Sequence, residues 1–263
     1  MTFIQEKKIL NKKHTRSFLI SGIFLTRLPF VLSDEIKPGE LINSSWAFPI
    51  IGSIVGMIGS FIFWFALELN LTHSISVGLA ILAMIFVTGG LHEDGLADTA
   101  DGFGGGLTLK SKLRIMRDSS IGVFGSIAAF FSISFRWVAL NDYTSTYWVM
   151  VGLVSASIAS RGILPIITRI MPAARQDGLT SDFGHIDTVP LGICIIITVF
   201  TLMCLCGVYN MFLIIVTLFI VISGFSVLVY RQIGGYTGDV LGAYQQVSEI
   251  VTLIIIGLIV GWH

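Results

Sequence analysis

Between Gly89 and Gly106 the chain reads Gly-Gly-Leu-His-Glu-Asp-Gly-Leu-Ala-Asp-Thr-Ala-Asp-Gly-Phe-Gly-Gly-Gly, which sets His92 and the carboxylates Glu93, Asp94, Asp98 and Asp101 among glycines. Only 12% of the residues are charged and 54% are hydrophobic. So much acid in one short stretch needs a partner to offset its self-repulsion, and a divalent cation supplies one. On a helix Asp94, Asp98 and Asp101 stand at i, i+4 and i+7, on one face, where they can converge on oxygen-loving ions, while Glu93 points elsewhere. A helix start enriched in acid to suit the helix dipole accounts for one or two such carboxylates. Three on one stripe, with Gly95 and Gly102 beside them, point to Mg²⁺ or Mn²⁺. Zinc through His92 finds no suitably spaced soft partner and no nearby cysteine.

Two other segments could act on the same chemistry. The stretch from Lys110 to Gly125 follows the acids directly and carries Lys110, Lys112, Arg114 and Arg117, cations suited to an anionic substrate whose phosphate a metal bridges to carboxylate. Positive-inside anchoring accounts for the two lysines, whereas Arg114 and Arg117 are the phosphate candidates, Arg117 standing beside Asp118 and two serines at a helix start. A second glycine-rich segment runs from Arg231 to Glu249. There Gly234, Gly235 and Gly238 allow a backbone to approach phosphate, and Asp239, Gly242, Gln246 and Glu249 can share one face of the last helix. Taken alone, that pattern equally describes a helix-packing stripe of small residues. Glu249, drawn into an apolar run, requires a partner there. Arg161 is expected near the cytoplasmic end of its helix, within reach of the site. Arg136 is expected nearer the outer end, where it snorkels.

The elements that position these groups are membrane spans. With 263 residues, 19 Phe and a mean hydropathy of +0.87, the chain reads as an all-α, polytopic integral membrane protein. Apolar segments at about 46–69, 73–91, 121–140, 146–167, 189–208, 210–229 and 240–261 give about seven transmembrane helices. Residues 1–16 are polar and basic, and 17–32, interrupted by Arg27 and Pro29, reads as a short interfacial or re-entrant helix. No cleavable signal peptide is apparent. The expected organisation is a single membrane-embedded domain, with an N-terminal cytoplasmic or interfacial segment at 1–45 and transmembrane helices with cytoplasmic loops at 46–263.

The loops near Asn70, at 141–145 and at 209–210, together with Trp262 and His263, contain no Lys or Arg, while the intervening ones hold Lys37, Lys110, Lys112, Arg114, Arg117, Arg169, Arg175 and Arg231. That asymmetry predicts an N-in, C-out topology with every motif-bearing loop cytoplasmic. A formal net charge of +0 argues against a nucleic-acid partner. Membrane lipid is the expected surrounding, and a homo-oligomer is compatible with the sequence. Cys194, Cys204 and Cys206 lie within apolar runs as small packing residues.

The segments His92 to Gly102, Met116-Arg117-Asp118 to Gly125, Thr26-Arg27-Leu28-Pro29 and Gly234-Gly235-Tyr236-Thr237-Gly238-Asp239 together resemble the cobalamin synthase family, the adenosylcobinamide-GDP ribazoletransferases of bacteria and archaea. The resemblance covers nearly the whole chain. It implies an Mg²⁺-dependent transferase of substituted phosphate groups in the inner (cytoplasmic) membrane, acting in cobalamin (vitamin B12) biosynthesis. Its partners would be adenosylcobinamide-GDP and α-ribazole or its 5′-phosphate, giving adenosylcobalamin or its 5′-phosphate and GMP. Asp94, Asp98, Asp101 and Asp239 would hold the metal, with His92 and Glu93 in the catalytic set. Arg27, Arg114, Arg117, Arg161, Arg231, Gly234, Gly235, Thr237, Gly238 and Glu249 would bind substrate. The Asp-Gly with further aspartates is also similar to the CDP-alcohol phosphatidyltransferases of phospholipid synthesis, although the spacing is compressed and their Ala-Arg is absent. A cation-coupled transporter is the non-enzymatic alternative; the clustering of acids at the cytoplasmic ends of spans argues against it.

Overall fold

The computed structural model describes residues 3–37, 39–143, 145–175 and 186–260, with side chains from His14 onward. The helices in chain order are α1 (Phe3–Leu25), α2 (Glu40–Ser44), α3 (Phe48–Glu68), α4 (His73–Thr88), α5 (Leu91–Gly105), α6 (Leu109–Ile115), α7 (Val123–Asn141), α8 (Thr146–Gly162), α9 (Leu164–Ile170), α10 (Thr188–Cys206), α11 (Val208–Ile233) and α12 (Gly238–Val260). No strand is formed among the described residues. Six stretches are long and apolar enough to cross a membrane: Glu40–Glu68, Val123–Asn141, Thr146–Ile170, Thr188–Cys206, Val208–Ile233 and Gly238–Val260. A seventh arises if α4 and α5 form one broken span. The chain is thus a multi-pass membrane protein, and the outward faces of α7, α10 and α11 carry the exposed aromatic side chains Phe130, Phe131, Phe200, Phe212 and Phe219 that such a protein turns to lipid.

The segment expected at 73–91 differs in an instructive way. Its helix stops at Thr88 after 16 residues, short of the roughly 20 that a spanning helix needs, and α5 leaves it at 85°. Gly89 and Gly90 make this corner, with φ of +65° and +70°, left-handed values that cost a residue bearing a Cβ about 1–2 kcal/mol. The acidic motif therefore occupies a helix of its own.

At the N-terminus the expectation of a polar lead followed by a short interfacial helix is corrected. One continuous helix of 23 residues runs through both, and it is not among those apolar enough to span. The lysines are good helix formers and do not interrupt it. It ends where Thr26 Oγ1 donates to the Gly22 carbonyl at 2.7 Å and where the approach to Pro29 disfavours helical backbone.

Two apolar clusters fill the interior. One joins α3, α4, α7, α8 and α12 around Val55, Phe63, Leu140 and Leu153. The other, around Leu25, Phe48, Ile167, Val240 and Tyr244, packs α1, α3, α9, α11 and α12 together and underlies the site. Between the clusters, α5 lies directly on α12. A Cβ on Gly95 would stand 2.7 Å from the Asp239 carbonyl oxygen and 3.1 Å from the Gly242 Cα, so only glycine lets the two backbones meet. Gly95→Val is expected to force them apart at about 1–3 kcal/mol, read as a lowered unfolding temperature in detergent.

Candidate active site

The α5–α12 contact brings the acidic motif to the start of the last helix. A cavity of about 310 Å³ opens there, with His92, Asp94 and Gly95 on one wall, Thr237, Gly238 and Asp239 on the other, and Arg117 and Arg175 at its edge. Asp98 lies in the field of Asp94, Asp239 and Asp101, opposed by Arg175. Aspartates from two distant parts of the chain are thereby gathered into one cluster. Thr237 starts α12: its Oγ1 accepts the Val240 N–H at 3.3 Å and donates to Asp239 Oδ2 at 3.3 Å.

The acids of α5 have different surroundings. Asp101 is buried, and its Oδ2 and Oδ1 accept the N–H groups of Gly122 at 2.7 Å and Gly125 at 2.9 Å. Gly122 is the N-cap of α7 and has no side chain to satisfy these donors, so Asp101 caps that helix from outside it. The carboxylates of Asp94 and Asp98 accept no hydrogen bond and form no ion pair within 4 Å among the described residues. No three His, Cys, Asp or Glu side chains among the described residues stand close enough to hold an ion between them. Asp94 and Asp239 are instead hard oxygen donors on an open space, with Asp98 in their field, a set that suits a hydrated Mg²⁺ bound through one or two carboxylates. His92 is buried on the cavity wall, and neither of its ring nitrogens has a hydrogen-bond partner among the described residues.

Glu93 points away from this cavity, as its helical position predicts, into a buried network. Arg136 Nη2 meets Glu93 Oε1 at 2.9 Å and Arg136 Nη1 meets Glu249 Oε1 at 3.2 Å, while Arg161 Nη1 lies 3.4 Å from Glu249 Oε2. Gln246 donates to Glu93 Oε1 at 3.1 Å, and Gln245 donates to Ser160 Oγ at 3.0 Å. The expectation that Arg136 snorkels outward is therefore overturned. Its side chain is 3% exposed, because two carboxylates inside the bundle offer it more than the surface does. Arg161 and Glu249, expected on substrate, are enclosed in this network.

The remaining expected residues separate by place. Arg114 lies on a basin of about 700 Å³ with Lys110, Arg117 and Arg175, so Arg117 and Arg175 form the wall between the basic basin and the acidic cavity. Asp118 is exposed, and the hydroxyl and N–H of Ser120, donating to Oδ1 at 2.6 and 3.0 Å, hold its carboxyl below the usual range. Arg27 lines a third cavity. Arg231 is exposed in the last turn of α11, and the cation paired with Asp239 is Arg175, at 3.8 Å.

Gly234 turns the chain at φ +75° as the C-cap of α11. A Cβ on Gly235 would stand 2.2 Å from the Pro172 carbonyl oxygen, so these glycines serve a backbone contact. Tyr236 N–H donates to Pro172 O at 2.9 Å and Ala174 N–H to Tyr236 O at 2.8 Å. This bridge carries Arg175 to the site. In the sequence Arg175 reads only as an anchoring charge, and its one signal is its place just after a span.

A profile of the cobalamin-5-phosphate synthase family matches residues 17–257. An adenosylcobinamide-GDP ribazoletransferase of Bradyrhizobium diazoefficiens is 37% identical over 236 residues, 90% of this chain and 91% of the relative. Proteins of the same name from Mesorhizobium japonicum and Shewanella frigidimarina are 39% and 36% identical, covering 89% and 91% of this chain and 89% and 93% of their own lengths. No solved structure matches the chain. With the profile spanning nearly every helix that builds the cavity, the chain belongs to the cobalamin-5-phosphate synthase family.

Proposed function

We propose that this chain joins adenosylcobinamide-GDP to α-ribazole or its 5′-phosphate, releasing GMP, in the cytoplasmic membrane with its site facing the cytoplasm. The observation that carries the reading is the shared wall: an acidic cavity and a basic basin meet at Arg117 and Arg175. A diphosphate needs both, since its oxygens require cations and the attacked phosphorus requires neutralised charge. In the reaction a ribose hydroxyl oxygen bonds to the phosphorus that remains on the cobinamide, the bond from that phosphorus to the bridging oxygen breaks, and GMP leaves with that oxygen. Asp94, Asp98 and Asp239 would hold Mg²⁺, which supplies neutralisation of the diphosphate charge. Arg117 and Arg175 clamp the non-reacting oxygens, the basic basin takes the guanosine end, and an acid of the cluster not engaged with the ion accepts the hydroxyl proton.

Purified protein should release GMP from adenosylcobinamide-GDP only with an acceptor and Mg²⁺ present, and should release no CMP from CDP-diacylglycerol. Absence of GMP release with both acceptors would reject the proposal. Arg175→Lys keeps charge but loses the planar fork, and should raise KM for adenosylcobinamide-GDP about tenfold with a smaller change in kcat. For topology, reporters fused after Asn70 and Asp142 should report the outside and those near Lys112 and Tyr236 the inside. Two further fusion points, Asp177 on the expected inner face and Trp262 on the expected outer one, lie outside the described residues. An external Lys112 would place the cavity away from cytoplasmic nucleotide and overturn this orientation.

A further inference from the structure

Helix α5 is held at both ends by α7. At one end Asp101 accepts the N–H groups of Gly122 and Gly125, and at the other Glu93 Oε1 takes Arg136 Nη2 at 2.9 Å. These anchors are separated by about 12 Å of helix, and Asp94 and Asp98 lie between them. Neither anchor fixes α5 against α12, which carries Asp239 on the opposite wall of the acidic cavity.

The contact between α5 and α12 is made of glycine. Gly95 meets the Asp239 carbonyl and the Gly242 Cα, and a Cβ on Gly242 would stand 3.2 Å from the His92 carbonyl oxygen and 3.4 Å from the His92 Cα. Bare backbone allows a close approach but interdigitates no side chains, so it leaves the axial register of the two helices unspecified. A slip of one residue shifts a helix by about 1.5 Å. A Mg²⁺ site demands near-ideal geometry, and a working constellation is held to within about 0.5 Å.

A directional bond stands beside this smooth contact. Gln246 lies on the same stripe of α12 as Asp239 and Gly242 and is 1% exposed. Its Nε2 donates to Glu93 Oε1 at 3.1 Å and to Gln245 Oε1 at 2.8 Å, and its Oε1 accepts from Ser132 Oγ at 2.5 Å. The amide therefore sits one way round, since turning it over would place its oxygen against a carboxylate. The arginines of the network balance charge; this amide fixes position.

Resting on the function proposed above, in which the acids hold the metal, we propose that the Gln246–Glu93 hydrogen bond sets the register of α5 against α12 and thereby the position of Asp94 relative to Asp239. Glu93 and Gln246 are positioning residues, acting through the adjacent Asp94 and through Asp239 two turns earlier on α12. Mn²⁺ binding to the detergent-purified chain, followed by loss of the free-ion EPR signal, reads the site without turnover. The unaltered chain should bind Mn²⁺ in competition with Mg²⁺, and Asp94→Asn should abolish that binding. Gln246→Met keeps the volume, loses all three bonds, and should weaken Mn²⁺ binding about tenfold or more. Ser132→Ala takes one bond from the same amide but keeps the bond to Glu93, so its Mn²⁺ affinity should stay within about twofold of the original, whatever its unfolding temperature. If Gln246→Met is not recovered folded, Gln246→Asn, one methylene short of Glu93, takes its place. A Gln246 variant with Mn²⁺ affinity within about twofold of the original, or equal weakening in the Gln246 and Ser132 variants, would overturn the register role. So would an unaltered chain that binds no Mn²⁺. Absence of GMP release with this pattern of affinities intact would reject the reaction and leave the register role standing.

Discussion

Asp98→Ala and Asp94→Ala should each lower kcat for GMP release about a thousandfold or more while the protein remains folded in the membrane. These are the α5 acids with no hydrogen-bond or close ion-pair partner among the described residues, so their removal leaves no buried donor unsatisfied. What they would hold is charge stabilisation worth several kcal/mol, at about 1.4 kcal/mol per tenfold in rate. Asp101→Ala should behave differently. It abandons the N–H groups of Gly122 and Gly125 at the head of α7, and an unsatisfied buried donor costs about 1–3 kcal/mol, so stability and activity should fall together. Thermal unfolding of the three variants beside their GMP release separates the two cases. Near-normal turnover of Asp98→Ala would remove it from the reaction.

The largest expected loss of stability is at Glu249. Glu249→Ala leaves Arg136 with Glu93 alone and takes from Arg161 its ion-pair partner, inside a bundle where both arginine side chains are at most 3% exposed. Breaking a buried pair by removing one member costs about 3–5 kcal/mol, mostly for the charge left behind. The double change Glu249→Leu/Arg161→Leu removes one charge of each sign and should recover much of that loss. Unfolding of the detergent-solubilised variants reads both, and a double variant as unstable as the sum of its singles would show that the network carries no coupling.

Much of this architecture is legible in the chain. Six of the seven apolar segments hold a helix long and apolar enough to span, and the seventh breaks at Gly89 and Gly90, since composition and length decide whether a helix can span. Asp94, Asp98 and Asp101 lie on one helix and Glu93 turns elsewhere, as the helical period requires. The corner at Gly89 and Gly90 is not legible, because two glycines after an apolar run also suit a plain helix end. Arg136 escapes a sequence reading because its depth in α7 says nothing about which neighbour it faces: Glu93 and Glu249 come from helices far off in the chain. Arg175 resembles any anchoring charge, since what carries it to Asp239 is a backbone bridge between Ala173 and Tyr236, which no side-chain pattern announces. The Gly234–Gly235 pair suggests phosphate for the converse reason. Glycines that admit a ligand and glycines that admit another stretch of the same backbone look alike in sequence.

The buried ion network also bears on how the protein is made. Its members emerge from the ribosome in the order Glu93, Arg136, Arg161 and Glu249, so a nascent chain that has released α8 but not α12 carries one carboxylate for two arginines. Arg136 can close on Glu93 as soon as α5 and α7 meet. Arg161 has to wait for the last helix, held meanwhile at the translocon or in water, because an unpaired guanidinium is expensive in hydrocarbon. Helix α12 also brings Asp239, so the segment that neutralises the bundle is the same one that completes the acidic cavity. A chain released before the final helix therefore lacks both the ion-pair partner of Arg161 and the Asp239 side of the acidic cavity.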